Sequence, residues 1–349
     1  MRVGILTGGG DCPGLNAVIR AIVRKGIQNY NYEMLGIIEG WKGLIKDGLI
    51  KPLELSDVSG ILHRGGTILK TSRTNPFKIE NGVSTIKENL KKNKIDALVA
   101  IGGEDTLGVA AKLFQDGIHV VGVPKTIDND VIGTDTTFGF DTALNIATEA
   151  IDRVHTTAEA HNRVMVVEVM GRHAGWIAVE SGIAGGADII LFPERITFVN
   201  EVCTLIKRRH SRGKDFSIVV VAEGAKIKMS PDSKEEELVL QDRKLDAFGH
   251  VRLGGIGYKL AELIEAGTDY ETRVVILGHI QRGGSPTAFD RVLATRFGVH
   301  AIDLVHRGQF GNMVALQGTK IVPYPLSNVV SQTKTIDPEL IETAEVFFG

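Results

Sequence analysis

The chain is poor in cysteine, in charge of one sign and in long apolar runs. Cys12 and Cys203 are the only cysteines among 349 residues, and they stand in unrelated contexts. Two isolated thiols build neither a disulfide framework nor a CxxC metal site. The formal net charge is -2, and no block dense in lysine and arginine occurs, so nucleic acid is not expected as a partner. No apolar run approaches the roughly 20 residues that span a bilayer, so no membrane is expected either. Met1 leads almost at once into an apolar strand, which leaves no room for a signal peptide; the expected location is cytoplasmic. Ser-His-Asp in a recognisable order, HExxH and G-x-S-x-G are also missing, so hydrolase and zincin readings lack support.

What the chain has in plenty is glycine. The chain has forty-one glycines, above the roughly 7% of ordinary proteins, and they cluster at strand ends in GGG, GG, GRHAG and RGG. That placement suits close backbone approach to a ligand. Hydrophobic residues at 43% and charged ones at 23% are ordinary for a soluble globular enzyme. The length exceeds a usual single domain, so two domains are expected.

A strand over 3–7 is followed by GGGDCPG (8–14) and a helix over about 15–28, an arrangement that turns bare amides and a helix N-terminus towards an anion. It is neither a Walker A loop nor a GxGxxG fingerprint. A second strand covers 34–38, and a loop follows at 40–48. The loop HRGGTILKTSRTNP (63–76) exposes Arg64, Lys70 and Arg73, which could hold phosphate or simply be solvated. The apolar run 95–101 stops at GGEDT, a short helix covers 107–114, and the next strand leads into PKTIDND (124–130). Parallel strands bring their carboxyl ends together. Glu104, Asp105, Lys125, Asp128 and Asp130 therefore converge, a costly cluster unless a cation, a shared proton or a phosphate belongs there.

Beyond it, Leu144, Ala147, Ile151 and Val154 mark one face of a long amphipathic helix within 134–163. Strands follow at 164–170, 189–192, 217–222 and 273–277, with helices over 199–209 and 255–265. Residues 225–249, rich in charge, read as an inserted surface excursion. Ser285 and Pro286 suit the N-cap and first position of another helix. A strand pair at 313–316 and 320–322 and a helix at 338–346 complete the chain. Alternating strands, glycine turns and helices imply an α/β fold with mostly parallel sheets.

A carboxylate such as Asp128 beside phosphates can take a proton from an attacking hydroxyl; the plain alternative is an Asx-turn. Glu104 could hold Mg²⁺, which takes only one or two carboxylates beside phosphate oxygens, or could complement a helix dipole. Arg163, Arg172, Arg273 and Arg282 each lie beside a strand end, where the guanidinium fork suits phosphate; each taken alone also suits a surface.

GGGDCPGLNAVIR, GGEDT, PKTIDND, HNRVMVVEVMGRHAGW and LGHIQRGGSPTAFDR, in this order, closely resemble the phosphofructokinase family over roughly residues 2–316. The resemblance implies two Rossmann-like three-layer domains: a phosphoryl-donor domain of 1–139 with 281–332, and a fructose 6-phosphate domain of 140–280 with 333–349. It implies Mg²⁺-dependent phosphorylation of the 1-hydroxyl of fructose 6-phosphate by a homo-oligomer, dimer or tetramer. By motif match, Asp128 is the general base, with Lys125 and Arg172 beside it in the catalytic set, and Glu104 stands at the magnesium position. Gly10, Arg73, Gly103, Asp105 and Lys125 fall at the donor. Thr126, Asp128, Asp130, Met170, Gly171, Arg172, Glu223, His279 and Arg282 fall at the sugar phosphate. Arg163 and Arg273 match arginines supplied across a subunit interface.

ATP-using bacterial members carry glycine at the positions of Asp105 and Lys125, so GGEDT with PKTIDND resembles the diphosphate-using branch. The nearest rival is the ATP-dependent enzyme on the same fold. More distant ones are a kinase of another family with a GGDGT-like loop, and a non-catalytic sugar-phosphate sensor. Arg20 and Arg24 match effector-pocket arginines, but Leu55 stands where a third would be.

Overall fold

Strand β1 (Arg2–Thr7) is buried beyond Arg2, as a parallel strand covered on both faces must be. The computed structural model describes every residue except 47–48, 232–239, 243–246, 250–251 and 330–331. After β1 come α1 (Leu15–Tyr30), β2 (Glu33–Ile37), β3 (Ile50–Leu53), α2 (Gly82–Lys92), β4 (Ala97–Gly102), α3 (Glu104–Gln115) and β5 (Val120–Thr126). A two-residue strand, β6 (Phe138–Gly139), precedes α4 (Phe140–His161), which carries the chain to a second sheet. There follow β7 (Val164–Val169), α5 (Trp176–Ala184), β8 (Ile189–Leu191), β9 (Ile196–Phe198), α6 (Val199–Ser211) and β10 (Ser217–Ala222). Short β11 (Lys226–Lys228), β12 (Leu240–Asp242) and β13 (Arg252–Leu253) lead to α7 (Ile256–Thr268) and β14 (Thr272–Ile276). Helix α8 (Ala288–His306) returns to the first sheet and adds β15 (Asn312–Gln317) and β16 (Lys320–Pro325). Helix α9 (Pro338–Glu345) then packs on α5.

The larger sheet runs β16-β15-β5-β4-β1-β2-β3, with β6 beside β5. Its centre is parallel, and β16 and β3 pair antiparallel at its edges. The smaller sheet, β14-β7-β10-β8, is parallel throughout. Side chains alternate between faces with the period of two that a strand imposes. Val99 and Ile101 of β4 join a core with α1, α4 and α8, while Leu98 and Ala100 face α2 and α3. In β7, Met165 and Val167 reach that same first core, whereas Val164 and Val166 pack on α6 and α7. One apolar core thus runs between the two sheets, and each sheet is covered on both faces, the three-layer α/β arrangement expected. Helix α1 buries Leu15, Val18, Ile19, Ile22 and Val23, the spacing of one helical stripe.

Several element ends differ from expectation. Helix α3 starts at Glu104 rather than 107, since the first turn closes on Gly103: Leu107 N donates to its carbonyl at 3.0 Å. Helix α4 starts only at Phe140, after Gly139 with φ of 100°. Helix α8 is capped by Thr287, whose hydroxyl accepts from Asp290 N at 3.3 Å, and not by Ser285, which is exposed. Residues Gly40–Leu44 form a 3-10 turn around buried Trp41 instead of a plain loop. Of the excursion at 225–249, residues 232–239 and 243–246 lie outside the described residues.

Candidate active site

The chain leaves β1 in opposite directions, with β2 on one side and β4 on the other. At such a reversal the loops beyond the strand ends part and leave a crevice. A cavity opens there. The turn after β1 contributes Gly9, Gly10 and Asp11, the turn after β4 contributes Gly103, Glu104, Asp105 and Thr106, and the end of β5 contributes Lys125, Thr126, Ile127, Asp128 and Asp130. From the smaller sheet come Arg172, past β7, and Arg282, past β14; Arg73 arrives on the 63–76 loop.

Backbone contacts hold these turns together. Gly8 N donates to Ile101 O at 2.9 Å, Gly9 N to Ser72 O at 3.2 Å, and the Thr71 hydroxyl to Gly9 O at 2.7 Å, which brings neighbouring Arg73 to the rim. Gly10 leaves room for a guanidinium: a Cβ there would stand 2.7 Å from Arg282 Nη1.

Lys125 is only 3% exposed, and its ammonium donates to the Gly10 carbonyl. Burial holds its pKa below the ordinary lysine value, with Cys12 pulling the other way and Arg282 adding to the depression. Asp128 is 5% exposed, with its backbone N–H on Thr126 Oγ1 at 3.0 Å and its Oδ1 buried without a hydrogen-bond partner. Burial, and then the charge of Asp128, push Asp130 up to about 7. The same two causes push Glu223 up to about 7. Glu223 Oε1 accepts from Arg172 N at 3.2 Å, and Arg172 sits in a left-handed turn, φ 52°, that Ala174 N closes on Gly171 O at 3.0 Å.

The five residues read from the two central turns are therefore gathered in one wall, together with Gly10, Arg73, Gly103, Thr126, Arg172 and Arg282. Met170, Gly171 and Glu223 are not part of the lining but hold the turn behind Arg172; Met170 N donates to Gln281 Oε1 at 3.4 Å, tying β7 to the turn that bears Arg282. His279 is exposed and also lies outside the lining. Arg163 and Arg273 do not reach this chain's own cavity; both pair with Glu271, Arg163 at 2.8 Å. Sequence reasoning passed over Gly9, Asp11, Thr106 and Ile127. Asp11, an acid inside a glycine turn after a strand, carried a signal of the kind that pointed to Glu104.

Among the described residues five acids face four cations in the lining, so an added polyanion needs a further positive charge. Among the described residues no three histidine, cysteine or carboxylate side chains gather to hold a metal unaided. The available donors are carboxylate oxygens, including the orphaned Oδ1 of Asp128. That set fits Mg²⁺, which keeps waters and takes one or two protein carboxylates beside phosphate oxygens.

Residues 2–305 match the family described as Phosphofructokinase. The chain belongs to the phosphofructokinase family. It is 61% identical over 350 residues to the pyrophosphate–fructose 6-phosphate 1-phosphotransferase of Amycolatopsis mediterranei, covering 100% of both chains. It is 51% identical over 348 residues to the ATP-dependent 6-phosphofructokinase 2 of Streptomyces coelicolor, again over 100% of both. Among solved structures, the phosphofructokinase of Pichia pastoris in the T-state superposes with a TM-score of 0.82 at 33% identity, over 99% of this chain and 36% of that one. Membership sets aside the kinase of another family. Both donor classes occur among phosphofructokinases at half identity or more, so the discrimination has to be sought in the lining, at Asp105 and Lys125.

Proposed function

We propose that this phosphofructokinase transfers a phosphoryl group from diphosphate to the 1-hydroxyl of fructose 6-phosphate, giving fructose 1,6-bisphosphate and phosphate in a reversible glycolytic step. The observation that carries this reading is the pair at the end of β5. A buried ammonium, Lys125, is fixed on the Gly10 carbonyl, and three residues on lies the buried, unpartnered carboxylate oxygen of Asp128. The 61% identity to a chain named for diphosphate supports the same donor.

In this reading Gly10, Arg73, Gly103, Asp105 and Lys125 hold the donor. Thr126, Asp130, Met170, Gly171, Arg172, Glu223, His279 and Arg282 form the sugar-phosphate side. Asp128 accepts the proton of the attacking hydroxyl as the O–P bond forms. Lys125 and Arg172 oppose the charge on the group in transfer, the positioning and electrostatic work on which such reactions depend. Glu104 would hold Mg²⁺, which when bound supplies positive charge against the phosphate oxygens.

The division into a donor domain, 1–139 with 281–332, and a sugar-phosphate domain, 140–280 with 333–349, is supported by β15 and β16 joining the larger sheet and α9 packing on α5. A homodimer or homotetramer with shared sites is supported by Arg163 and Arg273 lying outside their own cavity, and by exposed Ile280, Phe289 and Val292 near the Arg282 turn. A cytoplasmic address fits two free thiols; among the described residues no helix is long and apolar enough to cross a membrane.

The test uses purified protein, Mg²⁺ and fructose 6-phosphate with diphosphate or ATP as sole donor. Turnover with diphosphate and little with ATP is expected. The opposite pattern would transfer the chain to the ATP-dependent reading and leave the fold and acceptor unchanged.

A further inference from the structure

Residues 333–336 touch both halves of the cavity wall from behind. Thr333 forms a β-bridge with Val131, and Lys334 N donates to Asp130 O at 2.9 Å. The Lys334 ammonium donates to Asn129 Oδ1 at 3.2 Å and to Asp135 O at 2.5 Å. Asn129 stands between the two aspartates of the site, buried, with a left-handed φ of 53°. Asparagine enters that region more readily than other side-chain-bearing residues, so what fixes Asn129 is its hydrogen bonding. Its Oδ1 is held by two donors, Lys334 Nζ and Thr137 N at 3.2 Å.

The same segment is fastened to the other half. Lys334 O accepts from Trp176 Nε1 at 3.1 Å, and its ammonium lies 4.7 Å from the centre of the Trp176 ring. Glu194 Oε1 accepts from Gly175 N at 3.0 Å and from Ile336 N at 3.3 Å. Gly175 and Trp176 directly follow the turn that bears Arg172. Lys334 does not line the cavity, so it reaches the chemistry only through what it holds.

We infer that Lys334 is a positioning residue which fixes the 128–130 turn against the 171–176 turn, setting the separation of Asp128 from Arg172. The inference rests on the reading of Asp128 as the base. The charged groups that face the ammonium are Asp135 and Asp130 beyond β5 and Glu180 from α5. Burial is the main influence on it and pushes its pKa down to about 8, against the pull of those carboxylates. The ammonium is therefore charged at neutral pH and loses its proton as pH rises through about 8.

The experiment compares wild type, Lys334→Met and Lys334→Arg as full-length chains, with whichever donor the wild type uses. Misplacing reacting groups by about 1 Å costs up to about a hundredfold, so Lys334→Met should lower kcat by about ten- to a hundredfold, with KM values changed by less than about threefold. Lys334→Arg should recover most of the rate. Wild-type kcat should fall above about pH 8, and the ratio of Lys334→Arg to wild-type kcat should rise there because a guanidinium keeps its proton, any limb due to Lys125 being common to both.

A lysine that only braced the fold would behave differently. With its folded pKa below the unfolded value, its contribution to stability rises with pH between the two, opposite to the expected fall in kcat. Amide hydrogen exchange at 128–131 and 172–175 should quicken by about tenfold in Lys334→Met, a readout independent of turnover. Wild-type kcat in Lys334→Met, arginine no better than methionine, or a ratio of arginine-variant to wild-type kcat that stays flat above about pH 8 would each overturn the inference. If the methionine variant does not fold, the wild-type and arginine pH profiles decide. If the wild type uses neither donor, the reading of the site fails, and exchange at the two turns still decides whether Lys334 positions them.

Discussion

Replacing the two charged residues that mark the donor end, Lys125 and Asp105, by glycine should erase the donor preference. Lys125 is 3% exposed and its ammonium rests on the Gly10 carbonyl, inside the cavity that would receive the donor. Two unit charges about 4 Å apart at an effective dielectric near 20 interact by about 4 kcal/mol. Water and Mg²⁺ screen part of this, and half of it still amounts to about thirtyfold in affinity. Diphosphate, with no nucleoside to anchor it, depends on such a contact more than ATP does. Lys125→Gly should therefore lower kcat/KM for diphosphate by about thirtyfold or more, through KM and kcat together. Asp105 acts in the other direction. It stands in the first turn of α3, half-buried at the cavity edge, where the third phosphate of ATP would bring a like charge. Asp105→Gly should raise kcat/KM for ATP by about tenfold, and the double variant should use both donors. The assay is initial rate against donor concentration at saturating fructose 6-phosphate and Mg²⁺. Lys125→Gly with diphosphate kinetics within about threefold of wild type would refute the role given to the ammonium.

Asp128→Asn should lower kcat by about 10²–10⁴ with little loss of substrate affinity, measured by steady-state rates and calorimetric binding; near-normal kcat removes Asp128 from the mechanism. Mixing Arg163→Ala subunits with Asp128→Asn subunits should restore activity through hybrid sites, and no recovery between subunits shown to exchange contradicts a shared site. Asp130 and Glu223 ordinarily titrate near 3.8 and 4.5 but are pushed up to about 7 in the fold. The native state therefore holds more protons between those values, and the stability of the ligand-free protein should fall as pH rises from about 5 to 7. Asp130→Asn should flatten that slope in urea unfolding, and an unchanged slope would show that Asp130 is not the group responsible.

The central wall was legible because its chemistry is local. Glu104, Asp105, Lys125, Asp128 and Asp130 hang from two strands that are neighbours in the sheet, so strand ends and glycine turns alone bring them together. Arg172 and Arg282 are a different matter. Their place depends on how the smaller sheet faces the larger, which no local pattern encodes, and motif resemblance supplied it. The cap of α8 was misplaced for a similar reason. Ser285 and Thr287 are both capping residues; Thr287 has a tertiary partner, its hydroxyl donating to Asp141 Oδ2 at 2.5 Å while its backbone N–H meets Thr142 Oγ1 at 3.1 Å. Lys334 was invisible because the residue it holds, Asn129, is 205 positions away and no strand or helix motif joins the two segments.

Arg163 and Arg273 lie outside the cavity and share one acid. Both guanidinium groups converge on Oε1 of one carboxylate, Glu271. Two positive charges on one negative leave a local excess, and Arg163 Nε is buried without a hydrogen-bond partner. A buried donor left unsatisfied costs about 1–3 kcal/mol, so an arrangement of this kind calls for an acceptor. Within the chain the cavity does not extend to these residues. An anion presented from outside the subunit would satisfy the excess charge and the free N–H together. If the proposed shared site forms, a sugar phosphate held in a neighbouring subunit's cavity would be such an anion. Arg273, with its side chain 51% exposed, has the freedom to reach it, while Arg163, at 26%, is held more nearly in place. Loss of Arg163 should therefore weaken fructose 6-phosphate binding more than loss of Arg273, because less ordering entropy opposes the contact of a side chain already fixed.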